Sequence, residues 1–169
     1  MILTHDVILG EVRSGRMEID PFDPAMVGAA SVDLHLGEEI RVMDRERAAI
    51  DVNDEADYVQ ASSLRKLNEP YPLAAGETIH GITRERIHLP PNICGWLEGR
   101  SRFARLGLMI HVTSGFVAPG VDNRQVLEIS NLSGRVLRIH AGTRVCQIVL
   151  QRTEGEAVYR GRFAKQLKP

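Results

Sequence analysis

Apolar and polar residues alternate along most of this chain, and the alternation predicts strands rather than helices. In Ser31–Leu36 every second residue is apolar, which is the period of a strand with one buried face. Turn residues such as Pro70, Gly76 and Gly134 separate such segments from one another. The same pattern predicts seven further strands, over Glu39–Met43, Thr78–Thr83, Ile93–Leu97, Gly107–Val112, Val126–Asn131, Val136–His140 and Thr143–Leu150. Many short strands at close spacing are typical of a mostly β fold, either a barrel or a jelly roll.

Helical periodicity is confined to two places. A short helix is predicted at the N-terminus from an N-cap, one apolar face and a terminating glycine, namely Thr4, Val7, Ile8, Val12 and Gly15. A single helical turn is predicted near Ser101. The charged, aperiodic segment Asp44–Lys66 is expected to be a surface excursion of low functional content.

The composition narrows the class of protein. The chain has 169 residues, of which 43% are hydrophobic and 25% charged, so we expect one globular domain over residues 1–169. Its formal charge of −1 provides no overall field for nucleic acid or anionic lipid, and we expect neither as a partner. Apolar runs are far shorter than the roughly 20 residues of a spanning helix, so no membrane segment is expected. No secretion leader is apparent, and the two cysteines, Cys94 and Cys146, suggest packing in a reducing, cytoplasmic setting.

A basic segment, Gly99–Gly107, contains three arginines and one serine between two glycines. In a helical turn Ser101 and Arg105 stand at i and i+4 and share one face, whereas Arg102 points elsewhere. A hydroxyl, a guanidinium and free backbone N–H groups suit an anion such as phosphate. A basic surface loop paired with some of the 22 acidic residues is the alternative, and residue types alone favour it.

Glu128 is a carboxylate within an otherwise apolar strand, on the face that alternation assigns to Val126 and Ser130. It is either a solvent-facing glutamate or a partly buried acid whose pKa is raised by desolvation, as a general acid/base requires. His111 is either a ligand-binding residue or a hydrogen-bonded core histidine. The His-x-Glu and Cys-x-x-Cys pairs of zinc deaminases do not occur. A hydrolase built on this sequence would therefore activate water with a carboxylate and no catalytic transition metal.

Four motifs in the same order resemble the dCTP deaminase family of the trimeric dUTPase-like fold. They are Ala30–Gly37 (ASVDLHLG), Gly99–Met109 (GRSRFARLGLM), His111–Thr113 followed by Pro119–Gly120 and Leu127–Glu128, and Tyr159–Gln166 (YRGRFAKQ). The resemblance covers nearly the whole chain and is weakest from Asp44 to Tyr71.

The resemblance implies a distorted, jelly-roll-like β-barrel of the β-clip type with a short N-terminal helix, in a homotrimer whose active sites are shared between subunits. The implied reaction is hydrolytic deamination of dCTP to dUTP and ammonia, a step toward dUMP and dTTP synthesis. Mg²⁺ would accompany the triphosphate, and zinc would play no part. The expected ligands are dCTP and dUTP, with dTTP as an inhibitor.

The resemblance also implies roles for individual residues. Glu128 would be the general acid/base, Ser101 and the backbone at Ser114 would hold the attacking water, and Arg105 would support the developing intermediate. Arg100, Ser101 and Arg102 would lie along the nucleotide, and Val126 and Leu127 would contact it through backbone groups. The remaining substrate-binding residues would be His111, Ala118, Gln147, Tyr159, Arg162 and Gln166. The last four would close over the triphosphate, and the ordered C-terminal segment would exclude bulk water.

The sequence departs from the family pattern at several positions. Ala118 stands where the family usually has an aspartate that binds the deoxyribose. Without that carboxylate, nucleoside binding would be weaker by about 1–3 kcal/mol. The other departures are Ser114 for alanine, Arg102 for serine, Val121 for an aromatic residue and Asn123 for glycine.

Two alternative functions stay open beside deamination to dUTP. One is a dUTPase or a bifunctional enzyme that releases pyrophosphate, and Ala118 counts against it because dUTPase-like chemistry relies on an aspartate in that neighbourhood. The other is a nucleotide-binding trimer that has lost turnover. The presence of Ser101, Arg105 and Glu128 together counts against this second alternative.

Overall fold

A computed structural model describes residues 1–44, 49–111 and 113–169. Val112, which ends one predicted strand and belongs to one motif, lies outside the described residues, as do residues 45–48 of the predicted surface excursion. The structure is 43% strand and 10% helix, which confirms the predicted mostly β class.

The elements are short and separated by tight turns. The helices are α1 (His5–Arg13), a 3₁₀ turn (Pro24–Met26) and α2 (Ser101–Ala104). The strands are β1 (Glu18–Asp20), β2 (Val32–Met43), β3 (Ser62–Lys66), β4 (Tyr71–Leu73), β5 (Thr78–His88), β6 (Ile93–Gly99), β7 (Leu108–Ile110), β8 (Phe116–Val117), β9 (Asp122–Asn131), β10 (Leu137–Ile139) and β11 (Arg144–Arg152).

Nine strands form one curled sheet in the order β7-β9-β5-β2-β11-β6-β8, with β1 added to β5 and β3 added to β2. Strands β4 and β10 make a separate antiparallel pair. Neighbouring strands in the main sheet are often distant in sequence, as in a jelly roll. The sheet curls around a core that includes Leu34, Ile79, Leu127 and Ile148, each fully buried.

Two predicted strands, Ser31–Leu36 and Glu39–Met43, form the single strand β2. The pairing register between β2 and β5 shifts between Leu36 and Ile40, which lets one strand continue through an irregularity. Gly37 stands at this irregularity because an added Cβ would meet the carbonyl oxygen of Ile82 at 3.0 Å.

The expectation that Asp44–Lys66 is only a surface excursion is wrong for its last five residues, which form β3 and pair with β2. Only Ser62 of this strand is buried, and the other four residues are exposed. An edge strand exposed on both faces has no apolar alternation, so the pattern could not reveal it.

The predicted N-terminal helix is confirmed as α1, although its buried face differs from the expected one. Ile8 and Leu9 are buried, whereas Val7 is 40% exposed. Thr4 is the N-cap residue, but its side chain makes no capping hydrogen bond. The helix docks against β11 through the buried carboxylate of Glu11.

The Glu11 carboxylate accepts hydrogen bonds from Arg16 Nε at 2.8 Å and from Arg152 Nη2 at 2.5 Å. The bond from Arg16 is the main reason that the pKa of Glu11 lies below its ordinary value, and Arg152 lowers it further. The free thiols Cys94 and Cys146 are buried, as predicted, and burial raises the pKa of both.

Candidate functional site

A cavity of about 410 Å³ lies between β5, β8 and β9 and the C-terminal segment of the same chain. We call it the β9 cavity. Seven of the site residues predicted from the sequence line it, namely His111, Ser114, Ala118, Val126, Glu128, Tyr159 and Gln166. The fold therefore brings together residues from two of the four sequence motifs, the one that contains His111 and Glu128 and the one at Tyr159–Gln166.

Glu128 faces this cavity because of its position in β9. Its neighbours Leu127 and Ile129 are fully buried on the core side, so the alternation directs the Glu128 side chain to the opposite face. Its Oε2 accepts hydrogen bonds from Thr113 Oγ1 at 3.1 Å and from Thr113 N at 3.4 Å. Among the described residues lining the cavity, Glu128 is the only carboxylate. Its side chain is half-buried.

His111 lines the cavity and is hydrogen bonded, but it is only partly buried and is not a core residue. Its ring Nε2 donates to the Ser114 carbonyl oxygen at 2.7 Å, and its backbone N donates to the Glu128 carbonyl oxygen at 2.7 Å. The backbone φ of 63° is left-handed, which is uncommon for a residue other than glycine. The ring Nδ1 is buried without a hydrogen-bond partner, so it is available as an acceptor.

The C-terminal segment covers the cavity through backbone hydrogen bonds. Tyr159 N donates to the Pro119 carbonyl oxygen, and Arg124 N donates to the Gln166 carbonyl oxygen, both at 3.0 Å. Asn123, one of the departures from the family pattern, donates from Nδ2 to the Phe163 carbonyl oxygen at 2.8 Å. A glycine at position 123 would not make this side-chain bond.

Besides Leu127, six predicted site residues are not in the cavity lining: Arg100, Ser101, Arg102, Arg105, Gln147 and Arg162. Ser101, Arg102 and Arg105 are exposed in or directly after α2. Arg105 N donates to the Ser101 carbonyl oxygen at 3.1 Å, which confirms the predicted helical turn. Leu127 is also outside the lining because its side chain is in the core.

The other three residues outside the lining, Arg100, Gln147 and Arg162, contact polar side chains of the same chain. Arg100 Nη2 lies 3.1 Å from Asp33 Oδ2, and Gln147 Oε1 accepts a hydrogen bond from Ser31 Oγ at 2.7 Å. Arg162 is on the covering segment, with its guanidinium 3.5 Å from Asp57. The structure thus separates the predicted site residues into a cavity group and an exposed group around α2.

Three residues near the cavity were missed by the sequence analysis: Arg41, Tyr58 and His80. His80 of β5 is directly opposite Glu128 of β9, and Arg41 of β2 is directly opposite His80. The Tyr58 ring meets the His80 ring edge-on at 5.4 Å, and the Arg41 guanidinium lies 5.8 Å from the Tyr58 ring centre. His80 lies within the predicted strand Thr78–Thr83, but no motif drew attention to it.

The described residues contain no group of three or more His, Cys, Asp or Glu side chains arranged to hold a metal ion. The β9 cavity itself has one carboxylate and two imidazoles, from His80 and His111. Nor does any helix in the described part of the chain have the length and apolar character needed to cross a bilayer.

Comparison with known proteins bears on this site. The model of the dCTP deaminase-like family matches residues 2–153. The chain belongs to the dCTP deaminase-like family. This confirms the resemblance inferred from the four motifs.

Among curated relatives, a protein of Acidothermus cellulolyticus named "dCTP deaminase, dUMP-forming" is 35% identical over 181 residues, covering 100% of this chain and 93% of the relative. A Parafrankia protein of the same name is 33% identical over 177 residues, covering 100% of this chain and 88% of the relative. The relatives of this family member thus include proteins named as enzymes.

Solved structures confirm the fold. The crystal structure of 2′-deoxycytidine 5′-triphosphate deaminase from Agrobacterium tumefaciens matches with a TM-score of 0.71 at 21% identity, over 90% of this chain. The present chain spans about half of that structure, 48% of its length. A structure of EIAV dUTPase matches with a TM-score of 0.51 at 16% identity, over 86% of this chain and 93% of the other.

Proposed function

We propose that this chain hydrolyses dCTP, with Glu128 as the general acid/base that removes the cytosine amino group. The observation that carries the proposal is the placement of Glu128, an oriented, half-buried carboxylate in the β9 cavity of a dCTP deaminase-like fold. The names of the relatives support dCTP as the substrate.

The chemistry moves two protons, and one carboxylate can take up and deliver each of them. Glu128 takes a proton from water as the oxygen bonds to C4 of the pyrimidine, and passes that proton to N3. It then takes the second proton of the added hydroxyl and delivers it to the amino group, which leaves as ammonia while the C4 carbonyl forms. Each such transfer is worth roughly 10²- to 10⁴-fold in rate. The two bonds from Thr113 hold one carboxylate oxygen and leave the other for the water.

We propose that α2 of a neighbouring subunit completes the site in a homotrimer. Ser101 would then hold the attacking water, with help from the backbone at Ser114, and Arg105 would stabilise charge on the intermediate. Exposed apolar side chains beside α2 support this arrangement, since Leu106 is 58% and Met109 37% exposed in the single chain. A cyclic trimer would cover such a surface and would place the same α2 against every cavity.

The triphosphate would meet the covering segment and the basic side chains. Tyr159, Arg162 and Gln166 belong to that segment, and Arg100, Arg102 and Gln147 are proposed to reach the nucleotide from the α2 side. Mg²⁺ prefers oxygen ligands and keeps several waters, so the phosphate oxygens suit it. Because the described residues provide no three-residue metal cluster, we propose that Mg²⁺ enters with the triphosphate.

We propose dUMP as the final product, formed when a second water splits dUTP into dUMP and pyrophosphate. The names of the relatives support this choice. The second candidate is an enzyme that stops at dUTP, the product expected from the sequence. Ala118 favours this candidate, because the cavity lacks the aspartate on which dUTPase-like chemistry relies. Inhibition by dTTP and a cytoplasmic location stay predictions.

A product assay tests these proposals. The protein is incubated with dCTP and Mg²⁺, and ammonia, pyrophosphate and the nucleotides are measured separately. Ammonia with equal amounts of pyrophosphate and dUMP supports the proposed function, and ammonia with dUTP supports the second candidate. Binding of dCTP with neither product would indicate the trimer without turnover.

Treatment with chelators tests whether turnover needs Mg²⁺ and not Zn²⁺. EDTA is expected to reduce turnover by removing Mg²⁺ from the triphosphate, and excess Mg²⁺ should restore it. A zinc-selective chelator is expected to leave turnover unchanged. Loss of activity with that chelator and its return with Zn²⁺ would contradict an acid/base role for Glu128 without a transition metal.

A further inference from the structure

We propose that His80 is a positioning residue for Glu128: from the directly opposite position on the neighbouring strand, its side chain sets the charge that the carboxylate meets as it gains and loses a proton. This inference rests on the proposed function, because it assigns a partner to the proposed acid/base. It concerns a residue that none of the four sequence motifs contains.

The geometry comes from strand register rather than from one contact. Arg41 of β2, His80 of β5 and Glu128 of β9 are consecutive partners across three antiparallel strands. Directly opposite residues in such strands project from the same face, with Cβ atoms about 4.5–5.5 Å apart. His80 and Glu128 both line the β9 cavity, so the pair faces the proposed substrate volume. We call these three residues the cross-strand row.

Other groups define the surroundings of the pair. The Tyr58 ring lies edge-on against His80, and Arg41 lies over the Tyr58 ring. On the other side of Glu128, the chain leaves β7 at His111, whose backbone N donates to the Glu128 carbonyl oxygen. The titratable or charged side chains of the cavity lining are Tyr58, His80, His111, Arg124, Glu128 and Tyr159.

Burial is the main reason that the pKa of His80 lies below its ordinary value, and the charge of Arg41 lowers it further. The charge of Glu128 acts in the opposite direction and raises the pKa of His80. The lowered pKa favours the neutral imidazole at neutral pH, and the ring gains its charge at a lower pH than an ordinary histidine does.

The neutral state matters because Glu128 must carry a proton during part of the reaction. A permanent cation at position 80 would favour the ionised carboxylate and make Glu128 a poorer acid. A neutral side chain imposes no such bias. Protonation of His80 at low pH would have the same effect as a permanent cation, so His80 would help to set the acidic edge of activity.

Paired substitutions test this role. His80→Arg introduces a fixed cation and is expected to lower kcat about tenfold or more. The reason is that Glu128 becomes a poorer acid and part of the rate gained by one proton transfer is lost. His80→Gln keeps a neutral polar side chain and should retain kcat within about threefold, with KM for dCTP similarly unchanged in both variants. A rise in KM with unchanged kcat in His80→Arg would instead make His80 a substrate contact and overturn the proposal.

His88 provides a matched control on the same strand. It is directly opposite an acid, Asp122, but is not part of the described cavity lining. His88→Arg and His88→Gln are expected to keep kcat and KM within about twofold, as for surface changes away from the site. Equal losses in His80→Arg and His88→Arg would show a general effect of added charge and would overturn the assignment to His80.

An NMR titration tests the coupling without any turnover. The ring proton signals of His80 and His88 are followed with pH in the wild-type protein and in Glu128→Gln. Removing the Glu128 charge should lower the pKa of His80 and leave that of His88 unchanged, because the raising influence on His80 is lost. An unchanged pKa of His80 would overturn the proposal. If the wild-type protein released no ammonia from dCTP, the proposed function would fail, and the titration would still decide the coupling.

Discussion

The β9 cavity contains Glu128, the proposed acid/base, whereas α2 and the residue after it provide Ser101 and Arg105, proposed to bind the water and the intermediate. The two regions differ in how firmly the chain fixes these side chains. In the cavity, strand register and hydrogen bonds fix the positions of the lining groups. Thr113 donates to the Glu128 carboxylate, and Tyr159 of the covering segment donates through its backbone N to Pro119. Around α2, the side chains of Ser101 and Arg105 are exposed, although their backbone turn is regular.

This difference shows what a single chain can and cannot assemble. One copy forms the cavity that contains Glu128, the proposed acid/base, and it presents Ser101 and Arg105 on its surface. We propose a second copy as the source of the other half, because symmetry would supply each cavity with the same α2. The predictions below test this division, beginning with the largest expected effect.

Removing the acid/base should have the largest effect. Glu128→Gln keeps the shape of the side chain but cannot exchange protons, so deamination should fall by about 10³-fold or more while dCTP binding is retained. Ammonia release and equilibrium binding provide the two measurements. Glu98→Gln, on the exposed part of β6, is the matched control and should behave like the wild type. Substantial turnover by Glu128→Gln would contradict the assignment.

Mixing two inactive variants tests whether the halves come from different subunits. Glu128→Gln and Arg105→Ala are each expected to be nearly inactive alone. Random mixed trimers should recover about a quarter of wild-type activity, because each intact site needs Glu128 from one subunit and Arg105 from another.

The mixing experiment requires subunit exchange, which is confirmed by mass measurement on differently tagged chains. Arg13→Ala, an exposed change on α1, is the control and should be fully active alone. No recovery in confirmed mixed trimers would place both halves in one subunit. A monomeric mass for the wild type by light scattering would also contradict the shared site.

Restoring a carboxylate beside the cavity should have a smaller effect on binding. Ala118→Asp is expected to tighten dCTP binding by about 5- to 150-fold, since a bonded sugar hydroxyl is worth about 1–3 kcal/mol. Ala75→Asp adds the same charge at an exposed turn and should change nothing. Calorimetric titration with dCTP compares the two variants. Weaker binding by Ala118→Asp would show that this cavity recognises the sugar without an acid at position 118.

Shortening the covering segment should have the smallest effect. Ending the chain before Tyr159 is expected to raise KM for dCTP by about tenfold, because the cavity loses its cover and its proposed phosphate contacts. Ending it after Gln166 keeps the hydrogen bonds from Arg124 and Asn123 and should leave KM within about twofold. Initial rates over a range of dCTP concentrations give both values. An unchanged KM in the shorter protein would contradict a covering role.

Alternation predicted the strands that contain the proposed chemistry, because β5 and β9 each have one buried and one polar face. The same pattern indicated that Glu128 and Leu127 face opposite ways, and the burial of Leu127 confirms it. It failed for β3, whose residues are nearly all exposed, and for Gly37, where one strand continues through a register shift. In both cases the deciding contact comes from another strand.

Sequence by itself determined the mostly β class and the family, since periodicity and motifs are local properties of the chain. It also supplied the side chains that we propose as reactive. Tertiary structure alone decided that His80 stands opposite Glu128, 48 positions away, and that Ser101 and Arg105 are outside the cavity containing Glu128. Strand register and sheet curvature depend on the free energy of packing the whole core. No local pattern therefore encodes which polar faces will meet across neighbouring strands.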